Sequence, residues 1–315
     1  MSQLNILDQL KNEIYLIAGD ASPRRFYRFK KNKNKILVYC TKDKKNNLEN
    51  YIKVNNFLIK NKFKAPRVLE QNIKKNYILI EDFGDQSLKK ITKNNKKKIS
   101  LLKKSIDELV RLQKIKVKNQ FPNYSLNLLK KELNLFYDWY LPEFFSKQKS
   151  DQIKGKINSI LIKKIKKTNT VKKVFVHRDF HIENLILIKN KIGLIDNQDA
   201  VIGHPVYDIA SLIDDVRTVL SKKDQENLIK YYIKKSIYKG KNFISDFHIL
   251  SVQRLLKILG IFLRLYKRDN KKKYLRFLDR TWNLIDLRLA HNDLQDLQVI
   301  FNKYFNKKIK NKKWK

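Results

Sequence analysis

The stretch Val174-Phe-Val-His-Arg-Asp-Phe-His-Ile-Glu-Asn-Leu-Ile-Leu-Ile-Lys-Asn-Lys-Ile-Gly-Leu-Ile-Asp196 decides how the rest of this 315-residue chain is read. Two apolar runs, Leu185–Ile188 and Ile192–Ile195, flank Lys189-Asn190-Lys191, the pattern of a β-hairpin. Asn190 lies six residues from both Asn184 and Asp196. A hairpin centred on it predicts that those two side chains face each other at the open end, about 5 Å apart at Cβ. Asp179 stands five residues before Asn184, in the loop entering that end. One amide oxygen and two carboxylates suit Mg²⁺, a hard cation that takes few protein ligands and fills its shell with phosphate oxygens. A carboxylate set slightly apart can accept the proton of an attacking hydroxyl. Any one of the three alone would read as a turn cap or a strand end. His-x-Asp-x-x-x-x-Asn followed by a metal-binding Asp is the spacing of a phosphoryl-transfer loop.

Working outward, residues 1–85 read as a small α+β region. A helix is expected over Ser2–Ile17, then strands at Arg24–Phe29 and Lys35–Tyr39, a helix at Leu48–Lys60, an extended segment at Ala65–Leu69 and a strand at Tyr77–Ile80. That strand ends in the acidic turn Glu81-Asp82-Phe83-Gly84. From Ser87 the pattern is mainly helical, with Ser100–Gln113 and Ser125–Tyr140 carrying apolar residues three and four apart. The expected organisation is a nucleotide-binding lobe at 1–85 and a catalytic and substrate lobe at 86–315, with no internal repeat.

Composition excludes several classes. Apolar residues make up 42 %, enough for a core, and 7 Gly and 5 Pro exclude collagen-like and linker-dominated chains. The single cysteine, Cys40, excludes a disulfide scaffold and a Cys-based zinc site and reads as strand packing. No apolar run approaches the roughly 20 residues of a membrane span, and the N-terminal segment lacks the pattern of a signal peptide. A cytoplasmic protein is expected, with no membrane partner. The formal charge is +41, but the lysines spread along the whole chain among Asn and Ile, the residues of AT-rich codons. Without an aromatic-interleaved basic motif or a zinc finger, the charge reads as surface drift and not as a dedicated nucleic-acid site.

The segments HRDFHIENL (His177–Leu185) and GLIDNQDAVIGHPVYDIASL (Gly193–Leu212) resemble the aminoglycoside phosphotransferase superfamily. GDASPRRFYRF (Gly19–Phe29) and QRLLKILGIFLRLYKRDNKKKYLRFLDRTW (Gln253–Trp282) narrow the resemblance to the N-acetylmuramate/N-acetylglucosamine anomeric kinase family of cell-wall recycling. It covers the chain from about Gly19 to Trp282 and is similar to the alphaproteobacterial type, with Gly203-His204-Pro205 after Gln-Asp-Ala. The resemblance implies an α+β, two-lobed, protein-kinase-like fold and an ATP- and Mg²⁺-dependent sugar 1-kinase acting in peptidoglycan recycling. The sequence argues against a protein kinase: there is no G-x-G-x-x-G loop, no Val-Ala-Ile-Lys and no Ala-Pro-Glu, and Asp196-Asn197-Gln198 stands where Asp-Phe-Gly would be.

Carried over residue by residue, Asp179 is the catalytic base or hydroxyl-positioning group, and Asn184 and Asp196 hold Mg²⁺. His177 and Asp208 brace the loop. Arg178 contacts phosphate or sugar, and Asp199 contacts substrate or the outer shell of the metal. One departure matters: the strand Lys35–Thr41 has no interior lysine to bind phosphate. On the neighbouring strand, alternation puts Arg24, Phe26 and Arg28 on one face. Phe26 would then cover the base while Arg24 or Arg28 meets the phosphates, with Ser22 and the Gly19-Asp20 turn completing the loop. Glu81 and Phe83 complete the expected nucleotide site at the hinge.

Ile249–Tyr266 reads as a helix apolar almost all round, with a narrow polar stripe of Gln253, Arg254, Lys257 and Arg264. Either the stripe lines a cleft for an anion, such as the lactyl carboxylate of N-acetylmuramate, or it is a solvated face. A cationic aminoglycoside would need an acidic wall instead. The alternatives are a kinase of another small hydroxylated metabolite, and a non-catalytic basic binding protein on a kinase scaffold; retention of Asp179, Asn184 and Asp196 opposes the second.

Overall fold

The computed structural model describes residues 6–19, 24–32, 34–41, 46–92, 97–117, 120–168, 170–238 and 240–314. The chain forms two compact units, Met1–Glu108 with His177–Ala200, and Leu109–Val176 with Val201–Lys315.

In the first unit, α1 (Ile6–Gln9) leads to β1 (Ile14–Ala18), β2 (Arg24–Phe29), β3 (Lys35–Cys40), α2 (Asn46–Lys60), β4 (Val68–Asn72) and β5 (Tyr77–Glu81). The strands make one antiparallel sheet in the order β1-β2-β3-β5-β4. Period-two alternation sorts β3 between two apolar layers. Ile36, Val38 and Cys40 pack with Leu48 and Tyr51 of α2, while Leu37 joins Ile14, Phe29 and Tyr77 on the other face. Cys40 is therefore core, as its strand position predicts.

The helix expected over Ser2–Ile17 is corrected. Among its described residues only Ile6–Gln9 are helical, and Ile14–Ala18 pair antiparallel with β2, Ile14 opposite Phe29. The apolar run Ile14–Ala18 fits either period when read alone; pairing with β2 decides it as an edge strand. The chain then passes through α3 (Leu88–Ile91) into α4 (Lys98–Gln113), which carries it into the second unit.

After β6 (Val174–Val176) the chain returns to the first unit as the hairpin β7 (Leu185–Ile188) and β8 (Lys191–Leu194). Its register differs from the expected one. Leu185 faces Leu194 and Ile188 faces Lys191. The turn is only two residues, Lys189 and Asn190, at φ 43° and 64°, the double left-handed conformation of a type I′ turn. Asn184 therefore lies beside Ile195, whose N–H donates to the Asn184 carbonyl at 3.1 Å. Asp196 falls beyond the paired residues, and the face-to-face placement of Asn184 and Asp196 does not occur, because one residue of slip reverses every side chain. The hairpin is tied into its unit by Leu194 N–H to Lys64 O at 2.8 Å and Leu187 N–H to Gln86 O at 2.9 Å.

The second unit is helical: α5 (Leu126–Leu135), α6 (Lys147–Thr168), α7 (Val206–Ile213), α8 (Lys222–Lys235), α9 (Phe243–Lys267), α10 (Leu278–Leu289), α11 (Gln295–Tyr304) and α12 (Lys307–Lys310) surround a two-stranded β6–β9 (Val201–Gly203) pair. Ser125 caps α5 by accepting from Leu128 N–H. The single helix expected over Ser125–Tyr140 breaks after Leu135 into a π-helical turn, Phe136–Tyr140. α9 is the axis of this unit and is buried on nearly all sides, as its composition predicts. Its Gly260 meets that break directly: a Cβ there would lie 2.2 Å from the Leu135 carbonyl carbon and 2.3 Å from its oxygen. Among the described residues, no helix is long and apolar enough to cross a membrane.

Gly260→Ala should therefore lower stability by about 1–3 kcal/mol or more, because backbone cannot yield as a side-chain end does. Gly155→Ala, inside α6 with no atom within 4 Å of the added carbon, should be neutral or stabilising by up to about 1 kcal/mol. Urea unfolding of the two variants checks the contrast; equal effects would refute the close helix contact.

Candidate active site

The loop between β6 and β7 is folded by its own polar groups. Arg178 takes a left-handed backbone, φ 73°, and its Nη1 donates to the Asp199 carbonyl at 3.1 Å. His181 N–H donates to the Asp179 carbonyl at 3.0 Å, and Asn184 N–H to the His181 carbonyl at 2.9 Å. The side chain of Asn184 closes the loop, its Nδ2 donating to the Asp179 carbonyl at 3.0 Å. With the amide nitrogen so engaged, Oδ1 is the oxygen that Asn184 can offer a cation.

Asp196 follows β8 in a left-handed conformation, φ 58°. Its Oδ1 receives Arg24 Nη2 at 3.3 Å across 172 positions of sequence. Arg24 is almost wholly buried, whereas 40 % of the Asp196 side chain is open to solvent. The desolvation that this half-open side chain does suffer pushes the Asp196 carboxyl above its ordinary value; Arg24 opposes the rise, and the negative charges of Asp179 and Asp199 add to it. This is a carboxylate short of positive charge. Among the described residues, no group of three His, Cys, Asp or Glu could hold a metal ion by itself. An amide oxygen and a carboxylate, beside two further carboxylates, fit a hard cation that shares its shell with phosphate oxygens.

The remaining expected residues are placed as follows. Arg24, not Arg28, is the arginine at Asp196. Arg28 is bound at both ends to Asp82, with Nη2 to Oδ1 at 2.9 Å, and Asp82 Oδ1 also accepts from Gly84 N–H at 2.7 Å. Arg28 thus braces the turn after β5. Phe26 packs on the cluster shared by β3 and α2. Glu81 pairs with Arg67, Nε to Oε2 at 3.1 Å. Phe83 lies against β8, where a Cβ on Gly193 would come within 3.0 Å of its ring. Asp199 Oδ2 accepts from Gln198 Nε2 at 2.9 Å. Ser22 and Asp20 lie outside the described residues. His177 is fully buried; desolvation brings its pKa down to about 4 against the pull of Asp179 and a hydrogen bond with the Ile195 backbone. It is a neutral imidazole at neutral pH.

Asp208 and Arg254 belong to the second unit. Asp208 is fully buried in the first turn of α7. On α9 the stripe is not a solvated face. Gln253 donates to the Leu129 carbonyl at 3.2 Å, and Lys257 pairs with Glu132 at 2.9 Å. Arg254 is 4 % exposed, and its buried Nη1 has no hydrogen-bond partner among the described residues.

Sequence reasoning missed Tyr51 and Asn55 on α2. Both are buried, and Asn55 accepts from Asn197 Nδ2 at 2.9 Å, next to Asp196. A signal was present: Leu48, Tyr51, Asn55 and Leu58 follow helical spacing, so an amide stands inside an apolar stripe.

The sequence pattern of the phosphotransferase enzyme family (APH) matches residues 13–240. The chain belongs to that family. It is 27 % identical over 285 residues to the N-acetylmuramate/N-acetylglucosamine kinase of Pseudomonas aeruginosa, covering 88 % of this chain and 84 % of that protein. The protein of the same name from Caulobacter vibrioides is 36 % identical over 137 residues, 42 % of this chain and 38 % of that one. Among solved structures, the gentamicin complex of APH(2")-IIa superposes with a TM-score of 0.66 over 94 % of this chain and 99 % of that one, at 15 % identity. A choline/ethanolamine kinase family protein from Mesorhizobium loti gives 0.63 over 96 % of each, at 11 % identity. The fold is thus the aminoglycoside-phosphotransferase, protein-kinase-like one, and this member of the family is an ATP-dependent phosphotransferase acting on an alcohol.

The buried histidine generates a pH prediction. The folded pKa of His177 lies below the ordinary 6.5, so the folded chain binds fewer protons than the unfolded one there. Stability from this group is complete above about 6.5 and is lost as pH falls towards 4. His248, also brought down to about 4 by burial, acts in the same sense. In His177→Asn, the slope of unfolding free energy between pH 6.5 and 4 should flatten by up to one proton. An unchanged slope in urea titrations at several pH values would show that His177 is protonated in the fold.

Proposed function

We propose that this protein transfers the terminal phosphoryl group of ATP to the anomeric hydroxyl of N-acetylmuramate and N-acetylglucosamine, in the cytoplasm, as a step of peptidoglycan recycling. The observation that carries this reading is the match to kinases of that name over more than four-fifths of both chains, joined to the presence of Asp179, Asn184 and Asp196 within one unit.

Asp179 accepts the proton of the sugar hydroxyl as the oxygen attacks phosphorus. Asn184, through Oδ1, and Asp196 hold Mg²⁺, which neutralises phosphate charge when bound. Arg24, beside Asp196, serves the phosphates in place of the lysine missing from β3; its planar fork suits phosphate oxygens. Arg178 and Asp199 order the loop by their mutual hydrogen bond. No covalent intermediate is required, since positioning and charge neutralisation carry the rate.

Arg254 takes the carboxylate of N-acetylmuramate. Among the described residues its buried Nη1 has no hydrogen-bond partner, and a buried donor left so is costly unless a ligand supplies the counter-charge. The same residue disfavours a polycationic aminoglycoside or a choline-like amine.

Measuring ATP consumption against a panel of amino sugars, aminoglycosides and amino alcohols tests the reading; turnover confined to the amines would overturn it. Asp179→Asn should cut kcat roughly 10²-fold or more with nucleotide binding retained, and wild-type turnover would refute the assigned base. Arg254→Ala should lower kcat/KM for N-acetylmuramate relative to N-acetylglucosamine by about 10- to 150-fold, the worth of a lost charge-assisted hydrogen bond. Equal losses for the two sugars would move Arg254 from recognition to the fold.

A further inference from the structure

Asp196 needs more than Arg24 to hold it. The single contact between them is 3.3 Å long, and a left-handed backbone at a residue other than glycine persists only where the surroundings impose it. The next residue supplies that constraint. Asn197 is fully buried, and its Nδ2 donates to Asn55 Oδ1 at 2.9 Å and to the Leu194 carbonyl at 3.4 Å. One amide thus grips the last residue of β8 on one side of Asp196 and α2 on the other. Asn55 is also fully buried. One turn earlier on the same face of α2, Tyr51 is buried within the fields of Arg24 and Asp196.

We infer that Asn55 is a positioning residue for the proposed metal-binding carboxylate: through Asn197 it fixes the turn that aims Asp196, so that α2 sets the affinity for the divalent cation without touching cation, nucleotide or sugar. The inference rests on the reading of Asp196 as a metal ligand. Two neutral amides are suited to the task. An ion pair at this depth would carry a desolvation cost and would add charge beside a carboxylate already short of positive charge. The amide bond fixes position and leaves the Asp196 charge for the cation.

The test is a double-mutant cycle with Asn55→Leu, of similar volume, Asn197→Ala and the pair of them. The readout is binding of Mn²⁺ in the presence of a non-hydrolysable ATP analogue, followed by the electron paramagnetic resonance of free Mn²⁺, with thermal unfolding in parallel. Each single variant should bind Mn²⁺ about 10-fold more weakly, the range of a lost outer-shell partner. The double variant should be no worse than the weaker single one. In turnover assays the change should fall on the Mg²⁺ concentration for half-maximal rate more than on kcat at saturating Mg²⁺. Mn²⁺ affinity within twofold of wild type, with only the melting temperature lowered, would make Asn55 a packing residue and overturn the inference; strictly additive losses would overturn it too. Asp196→Ala separates the layers. If that variant binds Mn²⁺ normally, the metal reading itself is wrong and this inference falls with it. If it loses Mn²⁺ while Asn55→Leu does not, only the role of Asn55 is wrong. Neither result depends on which sugar is the acceptor.

Discussion

Asp196 carries two free-energy costs at once, a left-handed backbone and a carboxylate whose neighbours include Asp179 and Asp199, and much of the first unit can be understood as offsetting them. Arg24 meets the charge from β2, and Asn197 and Asn55 fix the turn from α2. β8 delivers the residue, and its register is set by the two-residue turn at Lys189-Asn190 and by hydrogen bonds to Lys64 and Gln86. Arg178 ties the loop before Asp179 to the segment after Asp196 through the Asp199 carbonyl. In the proposed function the negative charge that remains is what a divalent cation would neutralise, and the cation would in turn attract phosphate oxygens.

What could be read from sequence was local. His177-Arg-Asp179, Asn184 and Asp196 lie within twenty residues, and the apolar runs between them could only be a hairpin. Its register was misread because the turn carries a left-handed lysine at Lys189, whereas the usual marker of such turns is Asn-Gly or Asp-Gly. The helix expected before Ile17 failed for a related reason: β1 is a strand only because β2 is beside it, and no pattern within five residues reports a neighbour. The contact of Arg24 with Asp196 and that of Asn55 with Asn197 span 172 and 142 positions. No window of sequence contains either, although alternation along β2 singled out Arg24 and the amide in an apolar stripe marked Asn55 for notice.

The same distinction holds on α9. Periodicity found the polar stripe, but only partners separate its members. Lys257 is neutralised by Glu132, which also accepts from Tyr124, and Gln253 is spent on the α5 backbone. Among the described residues the buried Nη1 of Arg254 has no hydrogen-bond partner, and a helix-wheel argument, which treats all four polar residues alike, cannot report partners.

The charge of +41 can now be divided. The chain has 58 lysines and 13 arginines, yet among the described residues the buried basic side chains are Arg24, Arg254 and Arg288, and none is lysine. Ammonium is compact and strongly hydrated, so burying it forfeits more than burying a planar, weakly hydrated guanidinium that can bond two oxygens at once. Arg288 shows the structural use of that fork, binding both oxygens of Asp214 at 2.9 and 2.6 Å inside the helical unit. Arg24 instead meets Asp196 through one nitrogen and one oxygen at 3.3 Å, and 40 % of the Asp196 side chain is left to solvent. Lysine stands where water solvates it, as expected for a compact, strongly hydrated ammonium. In a chain this basic, the informative positive charges are the few that water does not reach.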